Sequence, residues 1–193
     1  FTANNSPPAT ASNRWGYIGF GGGATDAVFN ADGSYANGCV LQNVTVEYAG
    51  NSSMQGAIHI ESCILFVDSC EIINNSYGGI YCNNAHNTHI MNCQIASNSV
   101  AASGGGGICI NSSTNVLIQD NYINSNAYTG GSWDVGGGGI ILRFSCAGTA
   151  VIGNTIRDNS SSGTYGGGIY FMQTARIRLT GNSIFSNSSS KGG

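Results

Sequence analysis

A short repeat constrains the fold of this chain more than any other feature. A pair of small residues followed by isoleucine occurs five times, with isoleucine spacings of 22, 28, 32 and 29 residues. The repeated isoleucines are Ile58, Ile80, Ile108, Ile140 and Ile169. A second series keeps step with the first and comprises Ile72, Ile95, Ile123, Ile156 and Ile184. This agreement indicates a repeat architecture.

Inside each copy the hydrophobic period is two, which is typical of β-strands. Ile58 and Ile60 alternate with His59, and a second short segment places Leu65 and Val67 on one side. The Ile72 series marks a third strand. No helical pattern is present to cover a sheet, so each copy must coil and stack on its neighbours. The sequence predicts an all-β solenoid of about six turns, each with three short strands.

The variation in repeat length falls at one edge of this solenoid. The extra residues lie at 100–104, 127–135 and 160–165, each time before the next small-residue pair. Insertions of this kind map to one face of a repeat protein. We expect residues 1–14 to form an irregular lead-in. Residues 15–193 are predicted to form a single solenoid domain, as a fragment of a longer one.

Asparagine recurs at two positions of the repeat. A buried amide without a partner costs about 1–3 kcal/mol, whereas stacked amides satisfy one another. We therefore predict two asparagine ladders that stabilise the turns. The first contains Asn75, Asn98, Asn126, Asn159 and Asn187, and the second contains Asn121, Asn154 and Asn182. Cys70 and Cys93 hold the second position in two earlier copies.

Two stretches carry a resemblance to a known family. The sequence G-G-I-Y-C at 78–82, followed by N-C-Q-I at 92–95, resembles the repeat of secreted bacterial right-handed β-helix proteins of the pectate-lyase-like solenoid superfamily. The resemblance implies a right-handed parallel β-helix and an extracellular or cell-surface location. Such solenoids serve as polysaccharide lyases, epimerases, adhesins and stalks, so the fold does not select a function.

Charge and hydropathy exclude several partners. The net charge is −3 with only six Lys and Arg residues, which predicts that the chain does not bind nucleic acid. No apolar run approaches the roughly 18 residues of a membrane span, so we expect no membrane insertion.

Metal and cofactor signals are weak. No C-x-x-C pair occurs, and His86 and His89 lack a third ligand nearby in sequence, so we predict no metal and no cofactor. Seven cysteines suggest a secreted protein. However, stacked rungs hold residues about 4.8 Å apart, beyond the Cβ spacing of about 3.5–4.5 Å in a disulfide. We expect Cys70 and Cys93 to remain free thiols.

The acidic residues do not form an obvious catalytic set. Glycosidases use two carboxyl groups about 5–10 Å apart. Here the nine Asp and Glu residues are spread along the repeats, and Glu61 shares one strand position with Asn83, Asn111 and Arg143. We assign no catalytic residue, and the sequence leans against an enzyme.

Aromatic side chains are the best candidates for ligand binding. Two lie on the outward side of the first strand and three lie in the linkers, where their rings could stack on sugars or pack a loop against the wall. The candidate carbohydrate-binding residues are Tyr81, Tyr128, Trp133, Tyr165 and Tyr170. The first functional hypothesis is a structural or adhesive extracellular segment whose partners are polysaccharide or head-to-tail copies of itself. The alternative is a carbohydrate-active enzyme, similar to a polysaccharide lyase or epimerase, or a carbohydrate-binding module.

Overall fold

The computed structural model describes residues 1–2, 13–50, 55–102, 104–130, 136–162 and 165–190. Their regular elements are short β-strands. In chain order these are β1 (Ile18–Phe20), β2 (Val28–Phe29), β3 (Tyr35–Asn37), β4 (Val40–Gln42), β5 (Thr45–Glu47), β6 (Ile58–Glu61), β7 (Phe66–Asp68), β8 (Glu71–Ile73), β9 (Ile80–Asn83), β10 (His89–Met91), β11 (Gln94–Ala96), β12 (Ser99–Val100), β13 (Gly104–Gly105), β14 (Ile108–Asn111), β15 (Leu117–Gln119), β16 (Tyr122–Asn124), β17 (Ala127–Tyr128), β18 (Gly136–Gly137), β19 (Ile140–Arg143), β20 (Ala150–Ile152), β21 (Thr155–Arg157), β22 (Ser160–Ser161), β23 (Ile169–Met172), β24 (Arg178–Thr180), β25 (Ser183–Phe185) and β26 (Ser188–Ser189).

Three six-stranded parallel sheets run along the molecule. The first contains β1, β6, β9, β14, β19 and β23. The second contains β4, β7, β10, β15, β20 and β24, and the third contains β5, β8, β11, β16, β21 and β25. One strand from each sheet makes one turn of the chain, which we call a rung. The six rungs with three principal strands each confirm the predicted parallel β-helix.

The core consists of aliphatic columns, meaning equivalent residues aligned across rungs. Ile108 pairs with Ile80 on one side and with Ile140 on the other. Ile123 stands between Ile95 and Ile156 in the third sheet in the same way. These side chains are buried. Each contributes about 1.5–3 kcal/mol through burial, and the in-register repeat places every one of them in the same environment.

The corner between the second and third sheets is made by one residue in the left-handed conformation. The φ angles at this corner lie between 53° and 67° for Asn43, Ser69, Asn92, Asp120, Gly153 and Gly181. Glycine, Asn and Asp adopt this conformation more readily than other residues. The corner comes immediately before the second asparagine position and turns the chain into the third sheet.

The repeated glycines make room for the asparagines. A Cβ atom added to Gly107 would lie 2.6 Å from the Gly139 carbonyl oxygen and 3.1 Å from the Asn126 Nδ2. Gly79 and Gly139 have equivalent surroundings in the adjacent rungs. A larger residue at this position would displace the neighbouring rung. The second residue of each Gly-Gly pair packs against the asparagine of the first ladder. The two motifs therefore recur together.

The linkers form additional structure that the sequence did not predict. Four two-residue strands, β12, β17, β22 and β26, make a fourth parallel sheet, and β13 pairs with β18. In the first rung, β2 and β3 form an antiparallel hairpin. Near the linker strands, Cys109 and Ile141 are only 2% and 0% exposed, although both lie on the outward side of the first sheet. The outward column of this sheet is thus largely covered in the middle rungs.

Candidate functional site

The asparagines form two continuous ladders of hydrogen bonds. In the first ladder, Asn98 Nδ2 donates to Asn126 Oδ1 at 3.0 Å, and the backbone N–H of Asn98 donates to the same oxygen at 3.0 Å. Asn126 Nδ2 donates to the Ile95 carbonyl and to Asn159 Oδ1. Each amide therefore connects the rung before it to the rung after it. The same pattern links Asn75, Asn98, Asn126, Asn159 and Asn187.

The second ladder contains both amides and thiols. Asn121 Nδ2 donates to Asn154 Oδ1 at 3.0 Å, and Asn154 Nδ2 donates to Asn182 Oδ1 at 2.9 Å. At the other end, the Cys93 backbone N–H donates to Asn121 Oδ1 at 2.9 Å. The amides in the middle of both ladders are almost fully buried. Because their polar atoms bond to neighbouring rungs, these residues hold the wall together and do not face a ligand.

A polar chain crosses four strands on the outward side of the first sheet. Arg143 Nε donates to Asn111 Oδ1 at 2.9 Å, Asn111 Nδ2 donates to Asn83 Oδ1, and Asn83 Nδ2 donates to both carboxylate oxygens of Glu61. We call these four residues the Glu61–Arg143 chain. All donors point the same way, from the cation towards the carboxylate. Hydrogen bonds in such a chain polarise one another.

The cation at the end of this chain is buried without a carboxylate beside it. Arg143 is 6% exposed, and its guanidinium lies 3.4 Å from Gln55 Oε1 and 5.8 Å from the centre of the Phe144 ring. Among the described residues, the close contacts between basic and acidic side chains are His59–Glu61, which is an ion pair only when the imidazole is protonated, and Arg157–Asp158. The contact with Gln55 crosses 88 residues of sequence, and no sequence signal indicated it. The shared strand position of the other four residues was visible in the repeat.

Tyr81 and His59 lie against the same chain. Their rings are stacked with centroids 5.1 Å apart, and His59 Nε2 lies 3.7 Å from Glu61 Oε2. Burial raises the pKa of the Tyr81 phenol, and the nearby Arg143 offsets this only in part. The half-buried Tyr81 ring therefore has a neighbour on one face already.

The structure separates the five aromatic candidates. Tyr128 is 0% exposed, so its assignment as a sugar-stacking residue is wrong; its ring packs against Gly136 in the linker strand β18. Trp133 lies outside the described residues. Tyr165 and Tyr170 meet at the sixth rung with ring centroids 5.9 Å apart, and Tyr165 is 52% exposed. Among the described candidates, Tyr165 presents the most accessible ring, while Tyr81 and Tyr170 are partly buried.

The sixth rung exposes side chains that are buried in the fifth. Phe171, Leu179 and Ile184 are 40%, 46% and 44% exposed, whereas their partners one rung earlier are fully buried. Asn187 Nδ2 donates to the Ile156 carbonyl and to the Phe185 carbonyl of its own rung. We call the surface formed by Phe171, Leu179, Ile184 and Tyr170 the open face. It combines apolar side chains with the edges of three sheets.

The described residues contain no group of three or more His, Cys, Asp or Glu arranged to hold a metal ion. His86 and His89 do not converge: His86 Nδ1 contacts Thr114 Oγ1 at 2.9 Å, while the His89 ring stacks on Phe29. All seven cysteines are free thiols. In the part of the chain that the structure describes, no helix is both long enough and apolar enough to span a membrane.

A family model described as a right-handed β-helix region matches residues 27–193. The chain belongs to the right-handed β-helix family. The match covers every rung from the second to the sixth and agrees with the parallel stacking of the three sheets. Comparison with curated proteins and with solved structures gave no match.

Proposed function

We propose that this right-handed β-helix is a structural or adhesive segment of an extracellular surface protein or filament, and that it works without catalysis. The regular stacking of rungs, joined by parallel strands and by two buried asparagine ladders, carries this proposal. The open face of the sixth rung has the same apolar side chains and sheet edges as the surfaces that stack between rungs inside the molecule, so it fits either a further rung or a second copy of the chain. Unpaired sheet edges promote association with another chain. A head-to-tail contact that does not close generates a filament.

The internal chemistry supports a scaffold. The two asparagine ladders and the Glu61–Arg143 chain use most of their polar atoms on neighbouring rungs. A catalytic carboxyl group needs access to substrate and a partner at a defined separation. The extracellular location is a prediction from the family resemblance. Neither the low content of Asp, Glu, Lys and Arg (8%) nor the free thiols of the wall decides it.

The test is self-association of the purified chain. We expect sedimentation velocity and negative-stain electron microscopy to show concentration-dependent end-to-end oligomers. A Leu179→Lys/Ile184→Lys variant places charge on the open face and should remain monomeric. Tyr122→Lys is the matched control, because Tyr122 is 39% exposed on the side of the rod. Monomers at every concentration would reject association through the open face, and equal effects of both variants would reject the assigned surface.

A second candidate function is saccharide binding at Tyr165 and Tyr170. The observation that favours it is the ring contact between the exposed Tyr165 and the partly exposed Tyr170 at the sixth rung, because aromatic rings bind the apolar faces of sugars. A polysaccharide array, with and without calcium, should detect binding that Tyr165→Ala and Tyr170→Ala abolish and Tyr122→Ala preserves. Release of reducing or unsaturated sugars in the same samples would instead establish a carbohydrate-active enzyme.

A further inference from the structure

Cys70 and Cys93 occupy adjacent rungs of the second ladder. The pairing of Glu71 with Gln94 aligns β8 with β11, so the two cysteines that precede these residues are also in register. Their side chains are 1% and 2% exposed. In the following rungs the same column holds Asn121 and then Asn154. The pair is thus a two-thiol segment inside a ladder of amides.

The sulfur atoms make the hydrogen bonds that an amide makes elsewhere in the ladder. The Cys70 backbone N–H donates to Cys93 Sγ at 3.5 Å, and the Val44 backbone N–H donates to Cys70 Sγ. In return, Cys70 Sγ lies 3.3 Å from the Leu41 carbonyl oxygen and Cys93 Sγ lies 3.0 Å from that of Met91. Each sulfur therefore has one backbone N–H donor, and such donors favour a thiolate over a thiol.

The rung spacing decides which bond the pair can form. In-register rungs lie about 4.8 Å apart, and side chains in one column leave the wall in the same direction. A disulfide needs Cβ atoms about 3.5–4.5 Å apart. A zinc–thiolate bond is about 2.3 Å long, and two metal–thiolate bonds of about that length in line span about 4.6 Å. The column therefore matches a sulfur–metal–sulfur bridge better than a direct sulfur–sulfur bond.

We propose that Cys70 and Cys93 form a two-coordinate site for a soft monovalent cation of the copper group. Soft thiolate ligands select Cu(I) over harder cations. On binding, both S–H bonds break, two sulfur–metal bonds form and two protons pass to solvent, with no change of oxidation state. The bridge carries one negative charge, which the N–H groups of Val44 and Cys70 stabilise. The bound cation joins the second rung to the third. Metal binding at this site is a function additional to the scaffold role proposed above.

Ag(I) and Cu(I) are the probes, the first because it is stable in air. The other five cysteines also bind these cations, so the site is identified by difference. Cys70→Asn and Cys93→Asn are the test variants, because asparagine is the residue that this column accommodates in the later rungs. Cys109→Ala is the control, since Cys109 is a buried thiol on the first sheet. Circular dichroism verifies that all three variants fold.

Under a competing chelator, the wild-type chain should retain one equivalent more than either asparagine variant, and this equivalent should raise the melting temperature. Each asparagine variant should lose that equivalent, and Cys109→Ala should retain it. Because two protons leave, the affinity should fall about 100-fold for each unit of pH below the pKa of both thiols. X-ray absorption should find two sulfur neighbours. Equal tight binding in wild type and both asparagine variants would overturn the site. Formation of a Cys70–Cys93 disulfide when the native protein is treated with diamide would overturn the spacing argument.

Discussion

At the scale of the residue, the molecule depends on what an asparagine amide can do in a stacked column. Asn126 accepts two hydrogen bonds at Oδ1 from Asn98 and donates two from Nδ2. Recurrence every 23–33 residues made the ladder predictable, because only stacking satisfies so many buried amides. Tyr128 was not predictable in this way. A period of two shows which side of a strand a residue occupies, but not which linker will cover that side.

Replacing Asn126 with alanine removes all four of these hydrogen bonds. The Asn98 backbone N–H then loses its acceptor, and Asn98 Nδ2 and the Ile95 carbonyl each lose one partner in a buried setting, so we expect the free energy of unfolding to fall by about 3–5 kcal/mol. Asn187→Ala is the control, because water reaches the partly exposed end of the same ladder. Urea unfolding followed by circular dichroism measures both. Similar losses in the two variants would show that burial does not set the strength of the ladder.

At the scale of the element, hydrogen bonds and rings attach one strand to the next. In the Glu61–Arg143 chain, Asn111 is the only acceptor of the Arg143 Nε hydrogen among the described contacts. Asn111→Ala leaves this nearly buried cation with weaker partners, and we expect a loss of about 1–3 kcal/mol. Gln94→Ala, at an exposed strand position, should cost far less. Thermal melts compare the two variants, and equal shifts would mean that the chain contributes nothing.

The hairpin β2–β3 is held to the second sheet by aromatic rings. Phe29 stacks on His89 with centroids 3.7 Å apart and meets Phe66 edge-on at 5.7 Å. The sequence did not predict this hairpin because it interrupts the repeat in the first rung, where no second copy exists for comparison. Its docking places a histidine beneath an aromatic ring, which makes the attachment sensitive to pH.

Burial lowers the pKa of His89, so the folded chain favours the neutral ring. The contribution of His89 to stability is therefore fully present above about pH 6.5, the ordinary histidine pKa. It decreases as the pH falls below that value and levels off below the folded pKa. His89→Leu is the test variant, because Leu117 occupies the equivalent position of the second sheet in the next rung. The variant should lose less stability than the wild type between pH 7.5 and pH about 5. Identical pH profiles would exclude His89 as the titrating group.

At the scale of the whole molecule, stability should follow the position of a residue along the rod. Each rung contacts its immediate neighbours through parallel strands, so the energy of a solenoid is close to a sum of rung and interface contributions. The repeat determined this architecture from sequence alone, because every copy has the same columns. The sequence did not predict which rungs are covered and which are exposed. All five copies are alike in sequence, and the exposure of a rung depends on what stacks on it.

A matched pair of substitutions tests this dependence. Ile123 and Ile184 belong to one column of the third sheet, but they are 0% and 44% exposed. Ile123→Ala should cost about 2–5 kcal/mol because it leaves a cavity between two rungs, whereas Ile184→Ala should cost about 1 kcal/mol or less. Hydrogen exchange should show the highest protection in the middle rungs and lower protection at the sixth. If the chain associates through the open face, the cost of Ile184→Ala should rise with protein concentration while that of Ile123→Ala stays constant, because only the first substitution touches the contact between copies.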